Sequence, residues 1–168
     1  MRRRIVGVMG PGAEGTPLEP VAFALGQLIA RSGWMLLTGG RGAGVMSAAG
    51  RGAKTVPGSL VVGVLPDDRH SADVSDAVDI AVFTGMGHAR NVINVLSSDV
   101  IVALGAATPG TASEIALALK VATPVILLDP SDDARRFFAA CGSPLVSVAR
   151  DPADAVEKIQ QLFASPAS

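Results

Sequence analysis

Four glycine-rich loops carry the residues of this chain that could hold a ligand, and each follows a short apolar run. One reads Thr38-Gly39-Gly40-Arg41-Gly42-Ala43-Gly44-Val45-Met46. Glycines let backbone N–H groups approach an anion closely, and a helix opening at their end adds about half a positive charge. The pattern predicts a phosphate cradle with Arg41 as its cation. The alternative is a tight turn that needs glycine for its backbone, with Arg41 solvated. A second loop, Thr84-Gly85-Met86-Gly87-His88-Ala89-Arg90-Asn91, leads into a helix to about Ser97 with Val92, Val95 and Leu96 on its apolar face. Arg90 then stands near the helix start, open to a phosphate or a carboxylate, or else in a surface ion pair. His88, alone beside glycines, is read as incidental.

The loop Gly105-Ala106-Ala107-Thr108-Pro109-Gly110-Thr111-Ala112-Ser113-Glu114 runs into a helical segment, 115–120. Thr111 and Glu114 have the spacing of a capping box, in which the two side chains satisfy helix amides and nothing more. A carboxylate on the first turn of a strand-end helix also faces a ligand cleft, where it can hold hydroxyls or act as a base. Spacing leaves both readings open. The remaining loop, Gly10-Pro11-Gly12-x-x-Gly15, matches the dinucleotide fingerprint on spacing. Pro17 delays the following helix, however, and no carboxylate follows the second apolar run, so it is read as a supporting loop.

The charge balance removes whole classes of partner. With a net charge of −1, the chain lacks the basic excess that nucleic acid or an anionic membrane surface requires, so any anion site must be local. No apolar run approaches the roughly 20 residues that span a bilayer, and Cys141 is the sole cysteine, so no internal disulfide can form. A cytoplasmic protein with a buried bystander thiol is expected. No His, Cys and carboxylate cluster has metal-ligand spacing, so no protein-held metal is expected.

Something rigid must bring the four loops together. Hydrophobic residues form 49% of the chain but aromatics only 4%, so the core must be built from aliphatic side chains, as buried parallel sheets are. Seven short apolar runs (5–9, 35–38, 60–65, 80–84, 100–104, 125–128 and 145–148) alternate with helix-periodic segments such as Val21, Leu25, Leu28 and Ile29. The expectation is a Rossmann-like, doubly wound α/β domain over 1–168, with a mainly parallel sheet of about seven strands and helices on both faces. Pro152 suits the first turn of a closing helix, and 164–168 should fray. In such sheets ligands sit beyond the carboxyl ends of the strands, where these loops converge.

In this order, Gly39-Gly40-x-x-x-Gly44-Val45-Met46, Thr84-Gly85-Met86-Gly87-x-Ala89-Arg90-Asn91 and Pro109-Gly110-Thr111-x-x-Glu114 resemble the family long mislabelled lysine decarboxylase-like, also known as LOG or SLOG proteins. The opening Ile5-Val6-Gly7-Val8-Met9-Gly10-Pro11-Gly12, with Gly33-Trp34-x-Leu36-Leu37-Thr38-Gly39-Gly40-Arg41 and Arg136-Phe137-Phe138, is most similar to the family's molybdenum cofactor carriers. That resemblance implies a homo-oligomer, a tetramer or a dimer, that holds the pterin phosphate of molybdenum cofactor (molybdopterin) and shields it. It also implies partners among molybdoenzymes or cofactor-synthesis proteins. Another branch hydrolyses nucleoside monophosphates with an Arg and a Glu at the positions of Arg90 and Glu114. Ala106-Ala107-Thr108-Pro109 before Gly110, and Asn91 after Arg90, depart from that branch's pattern. A non-catalytic nucleotide sensor is the third reading. The loops supply no evident nucleophile, which a binding protein does not need.

Overall fold

A computed structural model describes residues 2–69, 73–142 and 144–164. Seven strands form one sheet: β1 (Ile5–Met9), β2 (Met35–Thr38), β3 (Val61–Leu65), β4 (Ile80–Phe83), β5 (Val100–Leu104), β6 (Val125–Leu128) and β7 (Val146–Ala149). Their order is β4-β3-β2-β1-β5-β6-β7, and all six pairings are parallel. The strands follow the apolar runs to within a residue at each end, because β-branched and Leu side chains pack well on a pleat buried from both sides.

Alternation divides each strand between two cores. Val6, Val8, Val100, Val102, Leu104 and Ile126 face α1 (Leu18–Arg31), α2 (Gly44–Lys54) and α6 (Pro152–Ala164). Met9, Ile101, Ala103, Val125 and Leu127 face α3 (Asn91–Leu96), α4 (Pro109–Lys120) and α5 (Asp132–Gly142). Burying each such Val, Leu or Ile contributes roughly 1.5–3 kcal/mol relative to leaving it in water. Helices α1 and α2 approach until their backbones touch. A methyl group on Gly26 would land on the Ala49 carbonyl, and one on Gly52 on the Phe23 carbonyl.

Helix α6 opens with Pro152 in its first turn, as expected, with the Asp151 carboxylate accepting from the Asp154 amide at 2.8 Å. It ends with Phe163 packed edge-on to Trp34, ring centres 5.1 Å apart. Ala164, expected to fray, closes this helix, and 165–168 lie outside the described residues. Cys141, expected to be buried, is exposed on the last turn of α5, which lies over the edge strand β7 where no further layer covers it. Among the described residues, no helix is long and apolar enough to cross a membrane.

Connections from β1 build outward through β2 and β3 to β4, and the chain then returns to lay β5 against the other side of β1. The loops that leave β1 and β5 therefore diverge to opposite faces of the sheet. A crevice opens between them at the carboxyl ends of the strands.

Candidate ligand-binding site

That crevice is a polar cleft of about 160 Å³. Gly10 and Gly12 line it from the loop after β1, and Met46 from α2. His88, Arg90 and Asn91 reach it from the 3-10 turn Gly87–Arg90 and the start of α3, and Thr108, Gly110, Thr111 and Glu114 from the start of α4. Three of the four loops thus converge. Pro109 lies over the adjoining groove, about 460 Å³, shared with His88, Asn91 and Gly110 and walled by Val92 and Leu117.

Arg90 is 9% exposed, yet its Nε and Nη1 have no hydrogen-bond partner. No carboxylate among the described residues lies within ion-pair distance of it. Burial lowers the pKa of its guanidinium below the ordinary value, opposed by the nearby charge of Glu114. A buried cation with unpaired N–H groups is costly, and native proteins avoid it unless something else pairs with them. Gly39 makes the room: a Cβ there would stand 2.6 Å from Arg90 Nη1.

Glu114 is 7% exposed and faces the same cleft. Its Oε1 accepts from Nδ2 of the fully buried Asn94 at 3.0 Å, and the backbone carbonyl of Asn94 accepts from Ser98 Oγ at 2.8 Å. Burial pushes the Glu114 carboxyl above its usual range, opposed by the Asn94 hydrogen bond and the charge of Arg90. The capping-box reading is corrected here. Pro109 starts α4 two residues before Thr111, so the cap is Thr108, whose Oγ1 accepts from the Thr111 amide. Thr111 lies inside the first turn, 2% exposed, with its hydroxyl 2.9 Å from that of Thr108. Glu114 reaches Asn94 rather than a cap amide, and Gly110 at the head of α4 lines the cleft. The preceding turn places Gly105 at φ 71° and Ala106 at φ 49°. A left-handed alanine costs roughly 1–2 kcal/mol, strain that clusters at functional loops.

The loop 39–44 behaves differently from its expected role. Arg41 pairs with Asp67 at 2.8 Å and does not line the cleft, so Arg90 is the cleft's cation. Gly40 packs on Gly63, and Gly42 lines a separate depression beside Asp73. Gly44, at φ 59°, fits beneath the Pro11 carbonyl, which accepts from the Val45 amide at 3.0 Å. Val45 is fully buried against Gly10. These glycines seat one loop on another and leave Met46 to face the ligand space. Pro11, expected at the ligand, serves the same seat. In the first loop, Glu19 accepts from the Gly15 and Thr16 amides, closing the turn on itself. Asn91 donates to Ser113 Oγ at 3.1 Å, tying α3 to α4 across the cleft mouth. Sequence reasoning missed Asn94 and set His88 aside. The available signal was the four-residue step from Arg90 to Asn94, which puts both on one helical face.

An all-parallel, doubly wound sheet with a polar cleft at the reversal of strand order defines a Rossmann-like α/β fold. The sequence profile of the SLOG cluster4 family matches residues 3–156, and the chain belongs to that family. It is 50% identical to the molybdenum cofactor binding protein of Rippkaea orientalis, over 98% of this chain and 99% of that one, with a TM-score of 0.92. The molybdenum cofactor carrier protein of Chlamydomonas reinhardtii is 48% identical over 98% and 100% of the two chains, with a TM-score of 0.91. An uncharacterized protein of Archaeoglobus fulgidus is 45% identical over 77% of this chain and 83% of its own.

Proposed function

We propose that this protein binds and carries molybdenum cofactor, with the terminal phosphate at Arg90 and the pterin lying toward the groove of Val92, Pro109 and Leu117. The observation that carries the reading is the buried Arg90 guanidinium with two unpaired nitrogens, Nε and Nη1. Phosphate oxygens can accept from the guanidinium N–H groups, and Gly110 at the α4 N-terminus offers a further donor. The similarity to two cofactor-binding relatives over nearly their whole length supports the choice of cargo. Loops after β1, β4 and β5, with Met46 of α2, contribute walls, as a rigid carrier that shields its cargo requires.

Titration of the protein with isolated cofactor under anaerobic conditions, beside AMP, tests it. Submicromolar cofactor binding with AMP at least tenfold weaker is expected. Equal binding of the two removes the basis for a carrier and favours a nucleotide sensor. The co-location of Arg90 and Glu114 favours a second reading, nucleoside monophosphate hydrolysis through an oxocarbenium-like step. Release of ribose 5-phosphate from AMP, lost in Glu114→Ala, would establish it. We further infer a homo-oligomer, because Ile80, Val82 and Phe83 of the edge strand β4 and Leu96 of α3 leave apolar surface in water. Light scattering at micromolar concentration should give a mass of a dimer or tetramer.

A further inference from the structure

Asn94 is fully buried, and its Oδ1 has no hydrogen-bond partner. An unsatisfied buried acceptor costs about 1–3 kcal/mol, which an apolar side chain of similar volume would not. What the amide provides in exchange is a hydrogen bond from Nδ2 to Oε1 of Glu114 at 3.0 Å, beside a long contact with Met9 Sδ at 4.0 Å. Oε2 of Glu114 receives none from the described residues, and the side chain faces the cleft. Asn94 thus fixes one carboxylate oxygen as an acceptor and leaves the other toward the ligand.

A phosphomonoester dianion has only acceptors to offer. Seated at Arg90, it satisfies the guanidinium and at the same moment brings a like charge against Glu114, itself only 7% exposed. Two such anions do not both stay ionised. The other groups facing Glu114 do not relieve this. Arg90 is engaged by the phosphate, and Arg41 is held by Asp67 at the ends of β2 and β3. The β1 loop and α2 present Gly10, Gly12 and Met46, none of them titratable. His88, on the same turn as Arg90, is the one further titratable group lining the cleft among the described residues.

We propose that a phosphomonoester binds at Arg90 together with a proton, taken from solvent onto Oε2 of Glu114, which then donates to a phosphate oxygen; Asn94 is the positioning residue that reserves Oε1 and directs the proton to Oε2. This rests on the phosphate site proposed above. The arrangement turns a repulsive pair into a charge-assisted hydrogen bond, and it makes retention of the ligand depend on pH.

Calorimetric titration in buffers of different ionisation enthalpy counts the protons. At about pH 8 the free phosphomonoester is dianionic, so uptake there belongs to the complex, and the 31P shift of the bound probe must stay that of a dianion if the proton is on Glu114. Isolated molybdenum cofactor, AMP and inorganic phosphate serve as probes. Wild type should take up close to one proton per bound phosphoryl probe, with the dissociation constant rising about tenfold per pH unit across that range. Glu114→Gln should still bind, with no uptake and a flat pH profile. Asn94→Leu, or Asn94→Ser if the leucine variant does not fold, removes the hydrogen bond that favours the ionised carboxylate, so apo Glu114 already holds part of the proton and uptake on binding should fall below that of wild type. A purely structural Asn94 would leave the proton count intact and move only stability. Binding without uptake in wild type, uptake that survives Glu114→Gln, or uptake lost only in His88→Gln overturns the proposal and leaves the phosphate site standing. Failure of the cofactor alone overturns the carrier reading, while AMP or phosphate still reports the protons. Failure of all three probes overturns both.

Discussion

Replacing Arg90 with methionine separates binding from folding. The side chain is 9% exposed and already lacks partners for Nε and Nη1, so the folded apo protein loses no hydrogen bond when they go. The through-space attraction to Glu114 is lost, and the removed burden of two unpaired donors, about 1–3 kcal/mol each, offsets it. Apo stability should therefore hold or rise. Ligand binding should not. Two charge-assisted hydrogen bonds at about 1.5–3 kcal/mol each sum to roughly 3–6 kcal/mol, or about 10²–10⁴ in affinity. At a cofactor concentration about 100 times the wild-type dissociation constant, wild type gains about 2.7 kcal/mol, a rise in melting temperature of roughly 5–11 °C for a chain of this size. A variant weakened about 100-fold gains about 0.4 kcal/mol, roughly 1 °C, at the same concentration. Arg90→Lys keeps the charge and loses the fork, so it should fall between, near tenfold weaker. Paired thermal melts with and without cofactor read all of this. A methionine variant that binds within threefold of wild type, or whose apo form melts more than about 5 °C lower, would refute the assignment of Arg90.

Other perturbations have definite outcomes. Gly44→Ala combines a φ of 59° with a Cβ that would stand 2.5 Å from the Pro11 carbonyl, and urea unfolding should show a loss above about 2 kcal/mol. Thr108→Ala removes the α4 cap and should lower stability by about 0.5–2 kcal/mol, with weaker cofactor binding in the same titration. Burial raises the Asp99 carboxyl, but the Ile5 amide, Arg2 and Arg4 outweigh it and leave its pKa lowered. Its contribution is therefore present above the unfolded value near 3.9 and lost as pH falls through the folded value, so Asp99→Asn should flatten the acid limb of stability. Glu114 has the opposite sign. Its raised pKa makes the ionised form a burden above the unfolded value, so Glu114→Gln should raise the apo melting temperature at neutral pH.

The strands were legible because a buried parallel strand must be an aliphatic run, and in this chain little else is. The crossing of the chain from β4 back to β5 was not legible, since strand order depends on pairings between residues far apart. The same limit explains Arg41 and Arg90. Both follow glycines near a helix start, and only the fold reveals that Asp67 pairs with the first while no described carboxylate pairs with the second. Local geometry decided Thr111. Its spacing to Glu114 suits a capping box, yet Pro109 is favoured at the first helical position and moves the cap to Thr108. Asn94 carries no motif, and its role becomes visible only when α4 brings Glu114 to it.

The reversal of strand order also divides the cleft in time. Residues up to Asn94 supply its cation and the amide, while its carboxylate and the α4 amides come from the return half of the chain. During synthesis the first half can pair four strands and still own no complete cleft. The proposed site is complete only once β5 lies beside β1 and α4 brings Glu114 to Asn94. A polypeptide arrested before that point has four of the seven strands and lacks the carboxylate and the α4 residues of the proposed phosphate site.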